Sequence, residues 1–285
     1  MKSVVLNQSE DSIPNFIPFV SKASNPFAAQ WRFLIAEQLN TGVDCSLLKE
    51  FLLEKEDEVL SIRTDQLNDG GTGLGADSTT ARFLYYNVFS WKHPQIDKLK
   101  REIYRLYYQY ISYCFPDNKL SSRDFNGISG KCWLNVMRKG DRIKIHQHGY
   151  HPSGYLIGHF CVSCSNTATV YVNPYEHCDE NELIEDVRGD MTQSRMIYHD
   201  GESDNDGEKL YASANREGKL TLFPTYVPHF TTEHKEDTER ITLAFDLRPK
   251  YDNRWFHSVP LIDRPVCNWD SNRGEFILDE TIFQD

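Results

Sequence analysis

His146 and His148, in the stretch 141–148, have the residue types and spacing of half a metal site. Side chains two residues apart on a β-strand point to the same face, so both imidazoles would face one way. Ile143 and Ile145 alternate with them and would form the buried face of that strand. Imidazole binds iron, zinc, copper and nickel, so the pattern predicts a transition-metal site that a distant strand must complete.

His229 is the best candidate for a third ligand, because it ends a strand-like run at 220–229. Eleven residues later, Arg240 and Thr242 would share one face of another strand. A guanidinium is the natural two-pronged anchor for a carboxylate. A metal beside a buried arginine predicts a cosubstrate that chelates the metal and carries a remote carboxylate.

Elements that would position these residues change in character along the chain. From Gly130 onward, short strands alternate with turn residues, which is typical of a β-sandwich or barrel. The predicted strands are 131–138, 142–148, 156–164, 168–173, 195–199, 208–213, 218–223, 227–234 and 240–247. Before them, the sequence predicts helices at 27–40, 44–62 and 94–114, a loop at 64–81 and a strand at 82–90. The apolar stripe around Leu99, Ile103 and Tyr107 would cover one sheet.

The charge is concentrated in one segment. The chain has 285 residues and a formal net charge of −11, yet residues 176–217 hold 13 acidic and 4 basic residues. The remainder is close to neutral, so charge does not exclude nucleic acid as a partner. The acidic segment is predicted to be an insertion, acting either as a lid over the pocket or as a solvated loop.

The sequence predicts a cytoplasmic protein. Seven cysteines form no disulfide framework, and Cys161 and Cys164 are interpreted as core residues. No apolar run is long enough to span a membrane, and the N-terminus does not resemble a signal peptide. The glycine-rich stretch 70–75 lacks the Lys-Ser/Thr ending of a phosphate-binding loop, and His234, among charged residues, is predicted to be exposed.

Seven motifs between residues 130 and 247 together resemble the Fe(II)/2-oxoglutarate-dependent oxygenases. The resemblance is closest to the prolyl-4-hydroxylase-like branch, and within it to an oxygenase group common in bacteria and tailed phages. It covers somewhat under half of the chain, and the order and spacing of the motifs are fairly specific. The motifs are Cys132-Trp-Leu-Asn135, Lys139-Gly-Asp141, His146-Gln-His148, Leu156-Ile-Gly-His-Phe160, Gly218-Lys-Leu-Thr-Leu-Phe-Pro224, Pro228-His229 and Glu239-Arg-Ile-Thr242.

The resemblance implies a mostly β fold with helices: a double-stranded β-helix (jelly-roll) core with an N-terminal helical layer. It implies Fe(II) at His146 and His229, and 2-oxoglutarate at Arg240 and Thr242, with Asn135 as a further cofactor-binding residue. The implied enzyme is a dioxygenase that uses 2-oxoglutarate and molecular oxygen to oxidise a primary substrate that the sequence does not identify. No catalytic residue is predicted beyond the metal site, and the oligomeric state is not readable.

The predicted domain organisation follows the same resemblance. Residues 1–129 would be a helical support region within the same domain, and 130–250 the oxygenase core with the acidic insertion 176–217. Residues 251–285 would be a tail packed on that core.

His148 departs from the family pattern, which has Asp or Glu two residues after the first histidine. Three interpretations remain open: His148 ligates the metal, the position is vacant, or the protein has lost catalysis and kept the fold for binding. Two alternatives to the oxygenase function also remain. One is a cupin-like three-histidine metalloenzyme that does not use 2-oxoglutarate, and the other is a non-catalytic jelly-roll binding or structural protein.

Overall fold

The structure, a computed structural model, describes residues 3–5, 13–20, 32–114, 128–148, 156–174, 179–198, 208–249 and 276–278. Most of the predicted tail at 251–285 lies outside the described residues. The α-helices are α1 (Cys45–Leu60), α2 (Pro94–Cys114) and α3 (Glu180–Asp186). The strands are β1 (Ser3–Val5), β2 (Asn15–Val20), β3 (Arg32–Gln38), β4 (Ile128–Met137), β5 (Leu156–Ser163), β6 (Ala168–Val172), β7 (Arg195–Tyr198), β8 (Glu208–Ala214), β9 (Leu220–Pro224), β10 (His229–Thr231), β11 (Arg240–Pro249) and β12 (Phe276–Leu278).

The strands form two sheets, and the strand pairs in both are antiparallel. The seven-stranded sheet has the order β12-β4-β11-β5-β9-β3-β2, and the five-stranded sheet has the order β1-β7-β8-β6-β10. The prediction of a mostly β fold with a few helices is therefore confirmed. From β4 onward the chain passes repeatedly between the sheets, so that β11, near the end, lies between β4 and β5.

Helices α1 and α2 pack on the outer face of the seven-stranded sheet, and both were predicted within two residues of their bounds. Asp44 begins α1, where its side chain accepts a hydrogen bond from the Leu47 amide at 3.1 Å. The α2 stripe, with Leu99 and Ile103, is buried in the same apolar cluster as Leu243 of β11. The shorter α3 covers the other sheet.

The predicted helix at 27–40 is wrong, because residues 32–38 form β3. Phe33 and Ile35 pack between the sheets, whereas Leu34 and Ala36 pack under the helices. A strand that is buried on both faces reads as a continuous apolar run, which periodicity alone does not distinguish from a buried helix. The N-terminal region thus contributes strands as well as helices.

The predicted strand at 82–90 is also wrong. Two short 3₁₀ helices, Thr80–Tyr85 and Val88–Ser90, occupy this stretch and pack against β4. The Tyr86 hydroxyl accepts a hydrogen bond from the Leu134 amide at 2.9 Å, so side chains rather than a strand ladder connect the stretch to the sheet.

The acidic segment is built into the fold over most of its described length. Residues 179–198 and 208–217 form α3, β7 and β8, and none of these described residues lines the central cavity. The strands predicted at 195–199 and 208–213 are thus confirmed as β7 and β8, and the description of 176–217 as an insertion stays a prediction. The hypothesis that the segment acts as a lid stays a prediction.

No helix within the described ranges is long and apolar enough to cross a membrane. The five cysteines that the structure describes are free thiols, Cys161 being buried and Cys164 half-buried. The cytoplasmic location stays a prediction.

Candidate metal centre

A cavity of about 370 Å³ opens between the two sheets. Strands β4, β5, β9 and β11 of the larger sheet and β6 and β10 of the smaller one line its walls. Gly158 lies on this wall, where an added Cβ would come within 2.3 Å of the Thr221 carbonyl oxygen and clash with the Phe245 ring. Glycine is therefore required there for the close approach of β5 to its neighbours.

The stretch 142–148 is not the regular strand that was predicted. It is an extended segment with one isolated bridge, in which the His146 amide donates to the His229 carbonyl at 3.0 Å and the His229 amide donates back at 2.9 Å. Ile145 packs against the five-stranded sheet, but Ile143 lines the cavity and does not face away from it. The bridge nevertheless brings the two predicted halves of the metal site together.

His146, His148 and His229 meet on the cavity wall, and their candidate ligand nitrogens all lie within 4.8 Å of one another. The ring centroids of His146 and His229 are 4.3 Å apart, and that of His148 lies 5.4 Å and 5.5 Å from them. Three convergent imidazoles form a facial ligand set for a transition metal. The donor set therefore fits an Fe(II)-type ion, with histidine where the family pattern has a carboxylate.

An oxygen acceptor fixes the orientation of each ring through Nδ1. His146 Nδ1 donates to the Lys144 carbonyl at 2.9 Å, and His229 Nδ1 donates to the Val227 carbonyl at 3.0 Å. A carbonyl only accepts, so the proton of each neutral ring is on Nδ1 and the Nε2 lone pair is left for a metal.

Burial keeps two of these rings neutral. The pKa of His146 is lowered to about 4, chiefly by desolvation and then by the neighbouring His148. The pKa of His229 is held well below its usual 6.5, first by burial and then by His146 and His148. Neutral imidazole is the form that binds a metal, so His146 and His229 are ready to ligate at neutral pH.

Arg240 lies at the other end of the cavity and is almost completely buried, with 1% of its surface exposed. Its Nε donates to Thr167 Oγ1 at 3.2 Å, and its Nη1 contacts Met137 Sδ at 3.0 Å. With the Asn215 amide turned so that its oxygen faces the guanidinium, Nη2 donates to it at 3.1 Å. In the described part of the chain Arg240 forms no ion pair, so a buried positive charge is held by neutral acceptors alone.

Thr242 and Asn135 lie opposite each other on the adjacent strands β11 and β4, and both line the cavity. Asn135 Oδ1 accepts a hydrogen bond from Thr80 Oγ1 at 2.6 Å, which fixes the orientation of the amide. The six predicted site residues thus surround one cavity, three near each end.

Asp246 is the most consequential neighbour that the sequence prediction missed. Its Oδ1 lies 2.6 Å from His148 Nδ1, and its side chain lines the same cavity. Trp133 stacks on the His148 ring with a centroid separation of 5.6 Å and an interplanar angle of 29°. The period-two series Arg240, Thr242, Ala244, Asp246 on one strand was the available signal, and all four line the cavity.

The glycine-rich loop forms part of the cavity rim, and Asp69 and Gly70 line it. The Asp69 carboxylate accepts hydrogen bonds from the amides of Gly71 and Gly75 at 3.0 Å each, and these bonds help to lower its pKa against the effect of partial burial. The loop therefore binds its own carboxylate, which explains its glycines without a phosphate.

His159 and His234 are two further buried histidines. His159 lines the cavity, and Thr169 Oγ1 lies 3.4 Å from its Nε2. His234, predicted to be exposed, is buried with 1% of its surface accessible. Its backbone amide donates to the Asp141 carbonyl, and its ring contacts the Thr238 carbonyl. The charged residues around His234 in the sequence therefore led to a wrong prediction of exposure.

Residues 131–246 match the model of a family described as "Putative 2OG-Fe(II) oxygenase". This match confirms the resemblance that the motifs indicated, over about the same residues. Among curated proteins, none matches the chain.

Several solved structures are similar at low identity. A prolyl-4-hydroxylase from Pseudomonas putida has 11% identity and a TM-score of 0.44, with 76% of this chain and 92% of that chain covered. AviO1 from Streptomyces viridochromogenes has 11% identity and a TM-score of 0.42, with coverages of 76% and 90%. HygX from Streptomyces hygroscopicus, solved with nickel and 2-oxoglutarate bound, has 13% identity and a TM-score of 0.41, with coverages of 77% and 83%.

Proposed function

We propose that this protein is an Fe(II)- and 2-oxoglutarate-dependent oxygenase built on a double-stranded β-helix core. One observation carries the proposal: a three-histidine cluster and a buried arginine without an acidic partner among the described residues face the same cavity. The order of β4, β11, β5 and β9, facing β10, β6 and β8, supports the proposed core. The family match over residues 131–246 supports both the metal and the cosubstrate.

The two ends of the cavity divide the task of binding. His146, His148 and His229 would hold the iron through their Nε2 atoms, and Arg240 with Thr242 would hold the distal carboxylate of 2-oxoglutarate. Burying a guanidinium among neutral acceptors is costly unless an anion compensates its charge. A bound carboxylate would supply that compensation and form charge-assisted hydrogen bonds in a site shielded from water.

Iron bound to the cluster would supply the activation of dioxygen, coupled to conversion of 2-oxoglutarate into succinate and carbon dioxide. The protein itself binds and orients 2-oxoglutarate. Asn135, held by Thr80, lies beside Thr242 with polar atoms available to a ligand, while Phe223 and Ile157 form apolar wall. Such apolar walls would limit the access of water to a reactive centre.

Anaerobic calorimetry tests the proposal directly. Fe(II) is titrated into metal-free protein, and 2-oxoglutarate is then titrated with and without the metal. We expect a single metal site, metal-dependent binding of 2-oxoglutarate, and slow succinate formation once oxygen is admitted. If the native protein did not bind Fe(II), the proposed function would be contradicted altogether. Intact metal binding without any affinity for 2-oxoglutarate would favour the cupin-like alternative.

A further inference from the structure

Asp246 has a contact that the proposed function does not yet explain. Its carboxylate Oδ1 lies 2.6 Å from Nδ1 of His148, and 20% and 15% of the respective side chains are exposed. The contact joins the segment that carries the ligand histidines to the strand that carries Arg240, because His148 lies two residues after His146 and Asp246 lies on β11. Such a contact is too short and too well shielded to be an incidental surface pair.

The environment of His148 restricts its ring from two directions. Trp133 stacks on the face of the ring, and Asp246 accepts a hydrogen bond at its edge. In the neutral ring, a hydrogen bond donated by Nδ1 leaves the Nε2 lone pair for a metal, as in His146 and His229. Of the three rings, however, only His148 has a carboxylate as this acceptor, whereas the other two donate to backbone carbonyls.

We propose that Asp246 is a positioning residue, which orients His148 for metal binding and supplies through it the negative charge that the three-histidine ligand set lacks. The inference rests on the proposed metal site and adds to it a residue outside the ligand set. It also explains the departure from the family pattern at His148. The carboxylate that the family has at that position lies on β11 instead and acts on the metal through the imidazole of His148.

The physical reason lies in the charge of the complex. A divalent cation with two histidines and one carboxylate carries one positive charge less than the same cation with three neutral imidazoles. A carboxylate that accepts a hydrogen bond from a ligating histidine raises the basicity of that ligand and fixes its orientation. In a partly buried cavity, the attraction between that carboxylate and the metal is weakly screened.

Two other roles of Asp246 predict different behaviour. If Asp246 only stabilised the fold, its replacement would weaken the site equally whatever residue stood at position 148. If Asp246 ligated the metal itself, its replacement would still be costly when His148 was absent. A double-mutant cycle between the two positions therefore separates the three roles.

The experiment uses Co(II) titration of the metal-free full-length protein, followed by visible absorption of the bound ion. The variants are Asp246→Asn, His148→Ala and the double variant, and thermal unfolding without metal checks that each one folds. We expect Asp246→Asn to weaken Co(II) binding by roughly 10–100-fold and to shift the absorption bands. In the His148→Ala background, the same replacement should change the affinity by less than about twofold, because nothing remains to be positioned.

A second background makes the test independent of lost packing. His148→Asp places a charged ligand in the site, and Asp246 would then repel it. Adding Asp246→Asn should leave Co(II) affinity unchanged or raise it in this background, whereas it should weaken binding in the native protein. Asp237→Asn is the control, because Asp237 is an exposed acid paired with Lys139 and should leave the titration unchanged.

The outcomes separate this inference from the proposed function. Failure of the native protein to bind Co(II) would overturn the metal site and the inference together. Native binding with an equal loss on Asp246→Asn in all backgrounds would overturn the inference alone, as would no loss in any of them.

Discussion

At the residue scale, Arg240→Lys separates anion binding from metal binding. Lysine keeps the charge but loses the two-pronged geometry that Thr167, Met137 and Asn215 orient. We expect affinity for 2-oxoglutarate to fall by roughly 10–100-fold, the usual cost of a charged hydrogen bond, while Fe(II) affinity is retained. Calorimetry measures the dissociation constants of both 2-oxoglutarate and Fe(II). Arg216→Lys, at an exposed arginine, is the matched control, and an equal loss of metal would show that Arg240 is structural.

His148 is tested by replacing the residue with alanine and with aspartate. If His148 ligates, His148→Ala should weaken Fe(II) binding by more than the roughly 10–100-fold typical of losing a supporting group, and His148→Asp should retain Fe(II). If the position is vacant, alanine should change little and aspartate should strengthen binding. His229→Ala is the control in the titration, and unchanged affinity there would remove the whole site.

The histidine cluster should also make the metal-free protein sensitive to acid. In the unfolded chain histidine takes a proton near pH 6.5, whereas the folded pKa of His146 is about 4. Its contribution to stability is therefore complete above pH 6.5 and is lost as pH falls towards 4. Between pH 7.5 and 5, the free energy of unfolding should fall by about 2 kcal/mol more in the native protein than in His146→Gln. Urea unfolding with a chelator present measures this, and parallel pH profiles would contradict it.

The spacing of residues within each strand predicted much of the site, because side chains two residues apart on a strand share a face. His146 with His148, and Arg240 with Thr242, needed no tertiary information. Asp246 was equally available on the β11 face but lacked a known partner, since its contact with His148 joins residues 98 positions apart. Contacts of that kind depend on the order of the strands, which the spacing of residues within one strand does not reveal.

At the element scale, α3 supports the segment that carries His146. Glu180, at the start of this helix, accepts hydrogen bonds from Arg142 Nη1 at 2.8 Å and from the Ile145 amide at 3.3 Å. The segment has one isolated bridge and a few further backbone hydrogen bonds, to Thr72, Thr225 and Thr231, so the contacts of Glu180 supplement an incomplete strand ladder. The acidic segment thus contributes to the site from outside the cavity.

Glu180→Ala should loosen this segment without touching the cavity. We expect Fe(II) affinity to fall by roughly threefold to tenfold, the cost of one or two ordinary hydrogen bonds, with thermal stability lowered only slightly. Metal titration is the measurement, and Glu182→Ala is the matched control, because Glu182 is an exposed acid on the same helix. Equal affinities in the two variants would show that α3 does not support the site.

The elements also show where sequence patterns fail. Amphipathic helices α1 and α2 have one buried stripe each, and their periodicity predicted them well. Strand β3 is buried on both faces, so its pattern carried no period to recognise. The sequence therefore predicted the covering helices more accurately than the strand beneath them.

At the scale of the whole molecule, a buried polar network joins the two sheets beside the apolar core. Lys219 and Glu37 form an ion pair at 3.5 Å, and neither side chain is exposed. Ser213 of β8 donates to Glu37 Oε1 and accepts from Lys219 Nζ, and Tyr211 of the same strand donates to Glu37 Oε2 at 3.0 Å. Glu37 lies on β3 of the larger sheet, so the network fixes one sheet relative to the other and maintains the width of the cavity between them.

Removing one charge from this network should destabilise the fold far more than removing a surface pair. Lys219→Met leaves Glu37 as a buried carboxylate without its ammonium partner, and we expect a loss of about 3–5 kcal/mol in the free energy of unfolding. Lys219→Met combined with Glu37→Gln should recover part of that loss, because no uncompensated charge remains. Lys139→Met, at an exposed ion pair with Asp237, is the control and should cost less than about 1 kcal/mol. Urea unfolding of the metal-free native protein and of the three variants measures these free energies. If Lys219→Met lowered the free energy of unfolding no more than Lys139→Met does, the network would not be what fixes the two sheets relative to each other.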